Sequence, residues 1–244
     1  MQMREELIAA ARGEIEVDLL LSGGQLANVL SGEVYRADVA IHRSRIVGFE
    51  CSSARDVLEL EGQIIAPGFI DGHVHIESSM VSVPEYARAV VPRGTTTVVA
   101  DPHELANVWG EAGIRYILDS SRDLPLDVYV MLPSCVPATD LETAGASLRA
   151  ADLASLLEED RVLGLAEMMN YPGVLFRDSE VMKKLALAED RPVDGHAPGL
   201  SGRDLSAYIA AGIGSDHECT TIEEAQEKVR AGMHIMLREG SAAK

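Results

Sequence analysis

From about residue 64 onward, short apolar runs alternate with amphipathic stretches of helical length. The runs are rich in β-branched residues, and parallel strands that are covered by helices on both faces have this composition. The alternation therefore predicts βαβ units around a parallel sheet. Seven strands are predicted, within residues 64–74, 95–100, 128–132, 162–168, 192–196, 212–216 and 234–237. The clearest helices between them are predicted within residues 82–91, 104–120 and 220–231.

The first quarter of the chain has a different pattern. Residues 4–12 have the apolar spacing of a short helix, and several short strand-like runs with tight-turn signals follow. We therefore predict two domains, an N-terminal helix with a small β-rich domain in residues 1–62 and an α/β barrel in residues 63–244. A closed (β/α)₈ barrel typically needs about 250 residues. We accordingly expect a TIM-type barrel that is truncated before its eighth strand.

Charge and cysteine usage narrow the class of protein. The formal net charge of −18 disfavours binding to nucleic acid or to an anionic membrane surface. The chain has three cysteines and no C-x-x-C pair, which fits a reducing compartment better than a disulfide scaffold. The acidic start does not resemble a signal peptide, and no apolar run is long enough to cross a bilayer. These features predict a cytoplasmic protein.

The strongest chemical signal is a pair of histidines, His73 and His75, at the end of the first barrel strand. Strand side chains alternate between faces, so two histidines separated by one residue project to the same side and can reach one metal ion. Barrel enzymes place their catalytic groups at the carboxyl ends of the strands. Further ionisable residues follow the later strands, in Asp101-Pro102-His103-Glu104, Ala166-Glu167-Met168-Met169-Asn170, Asp194-Gly195-His196 and Ser215-Asp216-His217-Glu218.

The segment Pro67-Gly68-Phe69-Ile70-Asp71-Gly72-His73-Val74-His75 resembles the first-strand motif of the amidohydrolase superfamily. The resemblance implies a barrel that holds one or two divalent metals, together with a small β domain built from both ends of the chain. The order and spacing of the later motifs resemble the branch of that superfamily that hydrolyses the amino group of adenine. The expected reaction is therefore hydrolytic deamination of adenine to hypoxanthine and ammonia.

The resemblance also implies roles for individual residues. His73 and His75 would bind one metal, Glu167 would bridge two metals, and His196 and His217 would bind the second. Glu167 and His196 are thereby expected to be catalytic. The family favours Mn²⁺, with Fe²⁺ or Zn²⁺ as alternatives, and the absence of thiolate ligands agrees with such ions.

Other polar residues have weaker signals. His103 and Glu104 could bind substrate, support the ligands or cap a helix through an acid near its N-terminus. His42 and His234 lie in no motif and are predicted to be structural, and Cys219 is predicted to be a bystander. Asp216 precedes a predicted ligand but is not expected to be the proton shuttle.

Two other functions stay open at this point. The chain could catalyse another amidohydrolase reaction, as a cyclic amidase or N-deacetylase, or it could be an inactive metal-binding fragment. In the family the proton shuttle is usually an Asp at the end of strand eight, which this sequence does not reach. We therefore expect the 244 residues alone to be weakly active or inactive. The expected partner is a small purine, and a homodimer is compatible with barrels of this kind.

Overall fold

The computed structural model describes residues 2–50, 53–139 and 141–238. The chain divides at Pro67 into two compact units. None of the helices in the described residues combines the length and apolarity that are needed to cross a bilayer.

The N-terminal unit begins with helix α1, Gln2–Ala11, and continues as two small sheets. Its strands are β1 Val17–Ser22, β2 Gln25–Asn28, β3 Glu33–Arg36, β4 Val39–His42, β5 Arg45–Gly48, β6 Ala54–Glu59 and β7 Ile64–Ile65. One sheet has the order β5-β4-β1-β6, and the other has the order β3-β2-β7. Ala10 of the helix packs with Val17 and Ala40, which gives this unit a core of its own.

The second unit contains all the parallel strands that the apolar runs predict. They are β8 Phe69–Val74, β9 Thr95–Ala100, β10 Asp127–Pro133, β11 Val162–Met168, β12 Val193–Gly195, β13 Ser215–Asp216 and β14 His234–Ile235. Strands β8 to β12 form one parallel sheet in chain order, and β13 pairs in parallel with β14. The Gly214 amide donates to the Val193 carbonyl at 3.0 Å and so joins this pair to the sheet. These strands form an incomplete (β/α)₈ barrel, as predicted.

The structure corrects the first predicted strand, residues 64–74, which is two strands. Ile64–Ile65 pairs with β2 in the N-terminal unit, whereas Phe69–Val74 pairs with β9. Pro67 lies between them, and proline cannot donate a backbone hydrogen bond to a sheet. The interruption therefore has a cause that is visible in the sequence.

Helices follow the strands of the second unit. They are α2 Val83–Val90, α3 His103–Trp109, α4 Glu111–Ser120, α5 Ala150–Ala154, α6 Tyr171–Leu175, α7 Ser179–Leu187, α8 Gly202–Ala210 and α9 Ile222–Arg230. The single helix predicted over residues 104–120 is therefore wrong. Gly110, with φ of 60° and ψ of −137°, separates α3 from α4, and only glycine adopts such angles readily.

The core of this unit lies between the sheet and its helices. Val98, Val130, Leu132 and Leu165 on the central strands are completely buried. Burial of this apolar surface is the main force that holds the sheet and helices together. Because the strands are parallel, their carboxyl ends share one rim, and the ionisable motif residues follow these ends.

Candidate metal centre

Glu167, on β11, is the centre of a cluster that the five predicted ligands form. Its Oε1 atom lies 3.0 Å from His73 Nε2, 2.9 Å from His75 Nε2 and 3.4 Å from His217 Nε2. Its Oε2 atom lies 2.8 Å from His196 Nδ1. Side chains that are up to 144 residues apart in the sequence thus converge because four strand ends meet at one rim.

The hydrogen bond of His75 determines which of its nitrogens is free. His75 Nδ1 donates to the Asp101 carbonyl at 2.9 Å, so Nε2 is the nitrogen that faces Glu167 and that a metal can take. His73 Nε2 lies only 3.2 Å from His75 Nε2. Glu167 Oε1 is buried and has no conventional hydrogen-bond partner. Lone pairs that face one another at such distances are stabilised by a cation, so these residues fit a divalent metal.

The electrostatics of the cluster also favour a cation. Burial opposes ionisation of Glu167, but the histidines around it, His196 first among them, hold the pKa of its carboxyl well below the usual range. Burial likewise opposes protonation of His75, yet contacts with Glu167 and Asp101 outweigh it and raise the pKa of His75 to about 9. Without a metal, the ionised carboxylate and a protonated imidazole thus stabilise each other, and a divalent cation can take the place of that proton.

Asp101 connects the cluster to His103. The carboxylate of Asp101 is fully buried, and its Oδ2 atom lies 2.9 Å from His103 Nδ1. The rings of His103 and His75 meet edge to face with centroids 4.6 Å apart. His103 therefore lies beside the predicted ligands. Glu104 lies in the first turn of α3 and accepts a hydrogen bond from Ser78 at 2.6 Å.

A cleft of about 700 Å³ opens beside this cluster, between strands β8 and β14. His73, His75 and His217 line it on one side. Met236 and Leu237 line it on the other. The cleft is therefore a route by which a small molecule could reach the histidines.

The remaining histidines and cysteines of the described residues lie outside the cluster. His42 is in the N-terminal unit, 3.2 Å from Glu6, and His234 is exposed on β14. Cys135 and Cys219 are free thiols. Cys51 lies outside the described residues.

Sequence reasoning missed one charged residue next to the site. Lys228 on α9 is completely buried and forms an ion pair with Asp216. Its spacing from Glu224 is that of an ordinary exposed helix pair, so no local signal indicates that its ammonium is buried.

The fold and the donor set together define a (β/α)-barrel protein whose strand ends can hold a divalent metal. Residues 64–243 match the family model described as the amidohydrolase family, and the chain belongs to that family.

Among curated relatives, the chain is 60% identical to an adenine deaminase of Methanothrix thermoacetophila over 242 residues, which are 98% of this chain and 43% of the relative. It is 54% identical to adenine deaminase 2 of Carboxydothermus hydrogenoformans over 244 residues, which are 100% of this chain and 43% of the relative. The chain thus spans less than half the length of these relatives.

Solved structures show the same fold at low identity. An N-acyl-D-glutamate deacylase of Bordetella bronchiseptica, complexed with zinc, superposes with a TM-score of 0.64 at 20% identity. That match covers 91% of this chain and 58% of the deacylase. An atrazine chlorohydrolase of Arthrobacter aurescens TC1 gives a TM-score of 0.62 at 15% identity, covering 92% of this chain and 72% of the other.

Proposed function

We propose that this chain carries the metal centre of an adenine deaminase, which hydrolyses the amino group of adenine to give hypoxanthine and ammonia. The observation that carries the proposal is the convergence of four histidines on Glu167 at the rim of the barrel. Relatives that are named adenine deaminases and are 52–60% identical over nearly all of the chain support the choice of substrate.

His73 and His75 would hold one ion, Glu167 would bridge to a second, and His196 and His217 would hold that second ion. Two divalent ions in this position, with Mn²⁺ favoured over Fe²⁺ or Zn²⁺, would supply a hydroxide at neutral pH. The carboxylate of Glu167 suits a position between two ions because both its oxygens face histidines: Oε1 faces His73, His75 and His217, and Oε2 faces His196. His196 contacts Oε2 alone and is placed apart from His73 and His75.

His103 and Glu104 are proposed to contact the purine. Asp101 fixes the ring of His103 through Nδ1, which leaves Nε2 to meet a ring nitrogen of the substrate. Burial opposes protonation of His103, but the bond to Asp101 outweighs it and raises its pKa, so the ring is a good hydrogen-bond donor. Glu104 is exposed at the rim, held by Ser78, and could accept from the amino group.

The same proposal assigns roles to the two domains and agrees with the cysteines and the net charge of the chain. The N-terminal unit, up to Pro67, would be the N-terminal part of the small β domain, and the unit from Gly68 onward would be the barrel. The free thiols of Cys135 and Cys219 fit a reducing cytoplasm. The net charge of −18 fits a neutral purine as substrate better than nucleic acid or an anionic membrane.

The test is a comparison of substrates with the intact protein loaded with Mn²⁺. Adenine, adenosine and a cyclic imide are incubated in parallel, while ammonia release and ring opening are measured. Slow release of ammonia from adenine alone, with about two ions per chain, is the expected result for these 244 residues. Ring opening of the imide would replace the proposal with a cyclic amidase, and absence of any turnover with metal bound would leave only a metal-binding protein.

A further inference from the structure

A buried ion pair lies directly behind two of the proposed ligands. The side chain of Lys228, on α9, is 0% exposed, and so is that of its partner Asp216 on β13. The Lys228 ammonium also donates to the Ala197 carbonyl at 2.7 Å and to Glu224 Oε1 at 2.7 Å. A charge buried in this way is costly unless it is fully paired, and here each of its three donors has an acceptor.

Asp216 connects the same ammonium to the backbone on both sides of His217. Its Oδ2 atom pairs with Lys228, and its Oδ1 atom accepts from the amide of Glu218 at 3.0 Å. The amide of Ala197 also approaches Oδ1, at 3.4 Å. Ala197 directly follows His196, whereas Asp216 and Glu218 flank His217. The ion pair therefore determines where the backbones of both histidines lie relative to each other.

Glu224 extends the connection to the loops beyond these histidines. Its Oε1 atom accepts from the Gly199 amide at 2.7 Å, and its Oε2 atom accepts from the Thr220 amide at 3.1 Å. Asp216, Cys219 and Glu224 are close enough together to bind a cation. The Lys228 ammonium pairs with both of these carboxylates, so it already serves as the cation of this group.

We propose that Lys228 is a positioning residue that sets the separation of His196 and His217 and thereby the affinity of the second metal position. The inference rests on the proposed function, in which these two histidines share that ion. Lys228 touches neither ligand side chain, so its effect passes through Asp216 and the Ala197 carbonyl. Partners that orient metal ligands in this way typically contribute about 10–100-fold to metal affinity.

The first experiment titrates Mn²⁺ into the metal-free intact protein and its Lys228→Met variant, and also records thermal unfolding without metal. We expect one of the two Mn²⁺ sites to lose affinity about 10-fold or more, with the affinity of the other unchanged. Lys183→Met is the matched control, because Lys183 on α7 is 66% exposed and pairs with a glutamate one turn away. This control should bind both ions as the parent does.

The double variant Lys228→Met with Asp216→Asn separates positioning from stability, since it removes both charges of the fully buried pair. Glu224 keeps its hydrogen bonds from the Gly199 and Thr220 amides. The double variant should fold without metal and still bind the second ion about 10-fold more weakly. Unchanged Mn²⁺ affinity in the double variant would overturn the proposal. Failure of the double variant to fold would also overturn the proposal, because the ion pair would then be required for folding and not specifically for positioning the ligands. A parent protein that binds two ions but does not deaminate adenine would refute the proposed function while leaving this titration valid.

Discussion

At the scale of the residue, the site depends on which atoms face each other. Glu167 contacts four imidazoles with two oxygens, while Asp101 holds the outer nitrogen of His75 through its carbonyl. The four histidines that contact Glu167 therefore have a different environment from other histidines of the chain. His234 has the same side chain but lies exposed on β14, away from the cluster.

We predict that His217→Ala removes most of the second metal ion, because it deletes a nitrogen donor in a cluster whose members are 2.8–3.4 Å from Glu167. His234→Ala, with the same change in composition, should keep the parent metal content. Elemental analysis of both purified variants after dialysis against metal-free buffer measures the difference. Equal metal content in the two would contradict the ligand assignment.

A second residue-scale prediction concerns close packing between neighbouring strands. A Cβ atom added at Gly164 on β11 would lie 2.0 Å from the Pro192 carbonyl oxygen, which belongs to the backbone and cannot move aside cheaply. Gly164→Ala should therefore lower the free energy of unfolding by about 1–3 kcal/mol. At Gly214 nothing lies within 4 Å of such a Cβ atom, so Gly214→Ala should be nearly neutral in the same denaturant titration.

At the scale of the element, the helices after the strands begin in different ways. Asp178 precedes α7 and its carboxylate accepts from the amides of Glu180 at 2.9 Å and Val181 at 3.0 Å. Ser201 precedes α8 but its hydroxyl makes no capping hydrogen bond. Side chains that satisfy the free amides of a first turn stabilise a helix, whereas a serine that makes no such bond contributes less.

Asp178→Ala should accordingly destabilise the second unit by about 1 kcal/mol, through loss of the cap. Ser201→Ala is the matched control and should change stability little. Urea unfolding followed by circular dichroism would measure both, and a larger loss for the serine variant would show that these caps do not decide helix stability here.

The contacts of α9 predict a dependence of stability on pH. Burial opposes ionisation of Glu224, but bonds from Lys228 and from the Gly199 and Thr220 amides outweigh it and lower its pKa. A carboxyl whose pKa is lower in the folded state adds stability above its unfolded pKa of about 4.3 and loses it as pH falls through the folded pKa. The stability difference between the parent and Glu224→Gln should thus be constant near neutrality and shrink below about pH 4. A difference that does not change down to pH 3 would contradict this assignment.

At the scale of the whole molecule, two compact units share one chain, and all five proposed ligands lie in the second. Metal binding should therefore stabilise residues 68–244 directly. Each ion present at about 100 times its dissociation constant adds about 2.7 kcal/mol to the free energy of unfolding. For a unit of this size, that corresponds to a rise in Tm of about 5–10 °C.

Removal of metal with a chelator should reverse this rise, and hydrogen exchange can show where protection is lost. We expect faster exchange at the carboxyl ends of β8, β11 and β12, with little change in residues 2–50. Restored protection on adding Mn²⁺ back is the control for damage by the chelator. Loss of protection confined to the N-terminal unit would contradict the position of the metal centre.

Much of the fold could be predicted because the signals are local. An apolar, β-branched run predicts a strand wherever it occurs, and the His-x-His spacing determines that both rings share a face. The strand 162–168 was predicted to the residue for this reason. Gly110 and Pro67 are also local signals, and giving them too little weight is why one strand and one helix were each predicted as a single element although the structure divides them.

The sequence by itself therefore determined most of the strands, the α/β class and the shared face of His73 and His75, since each depends on spacing within a few residues. The other ligands, Glu167, His196 and His217, followed from the resemblance of their motifs to those of the family. Only the tertiary structure decided that Glu167 lies within 3.4 Å of rings from three other strand ends, because that depends on strand order and on the curl of the sheet. It also decided that Lys228 is buried. A lysine side chain is almost never fully buried unless its charge is paired. No pattern along α9 indicates that Asp216, on another element, provides that pair.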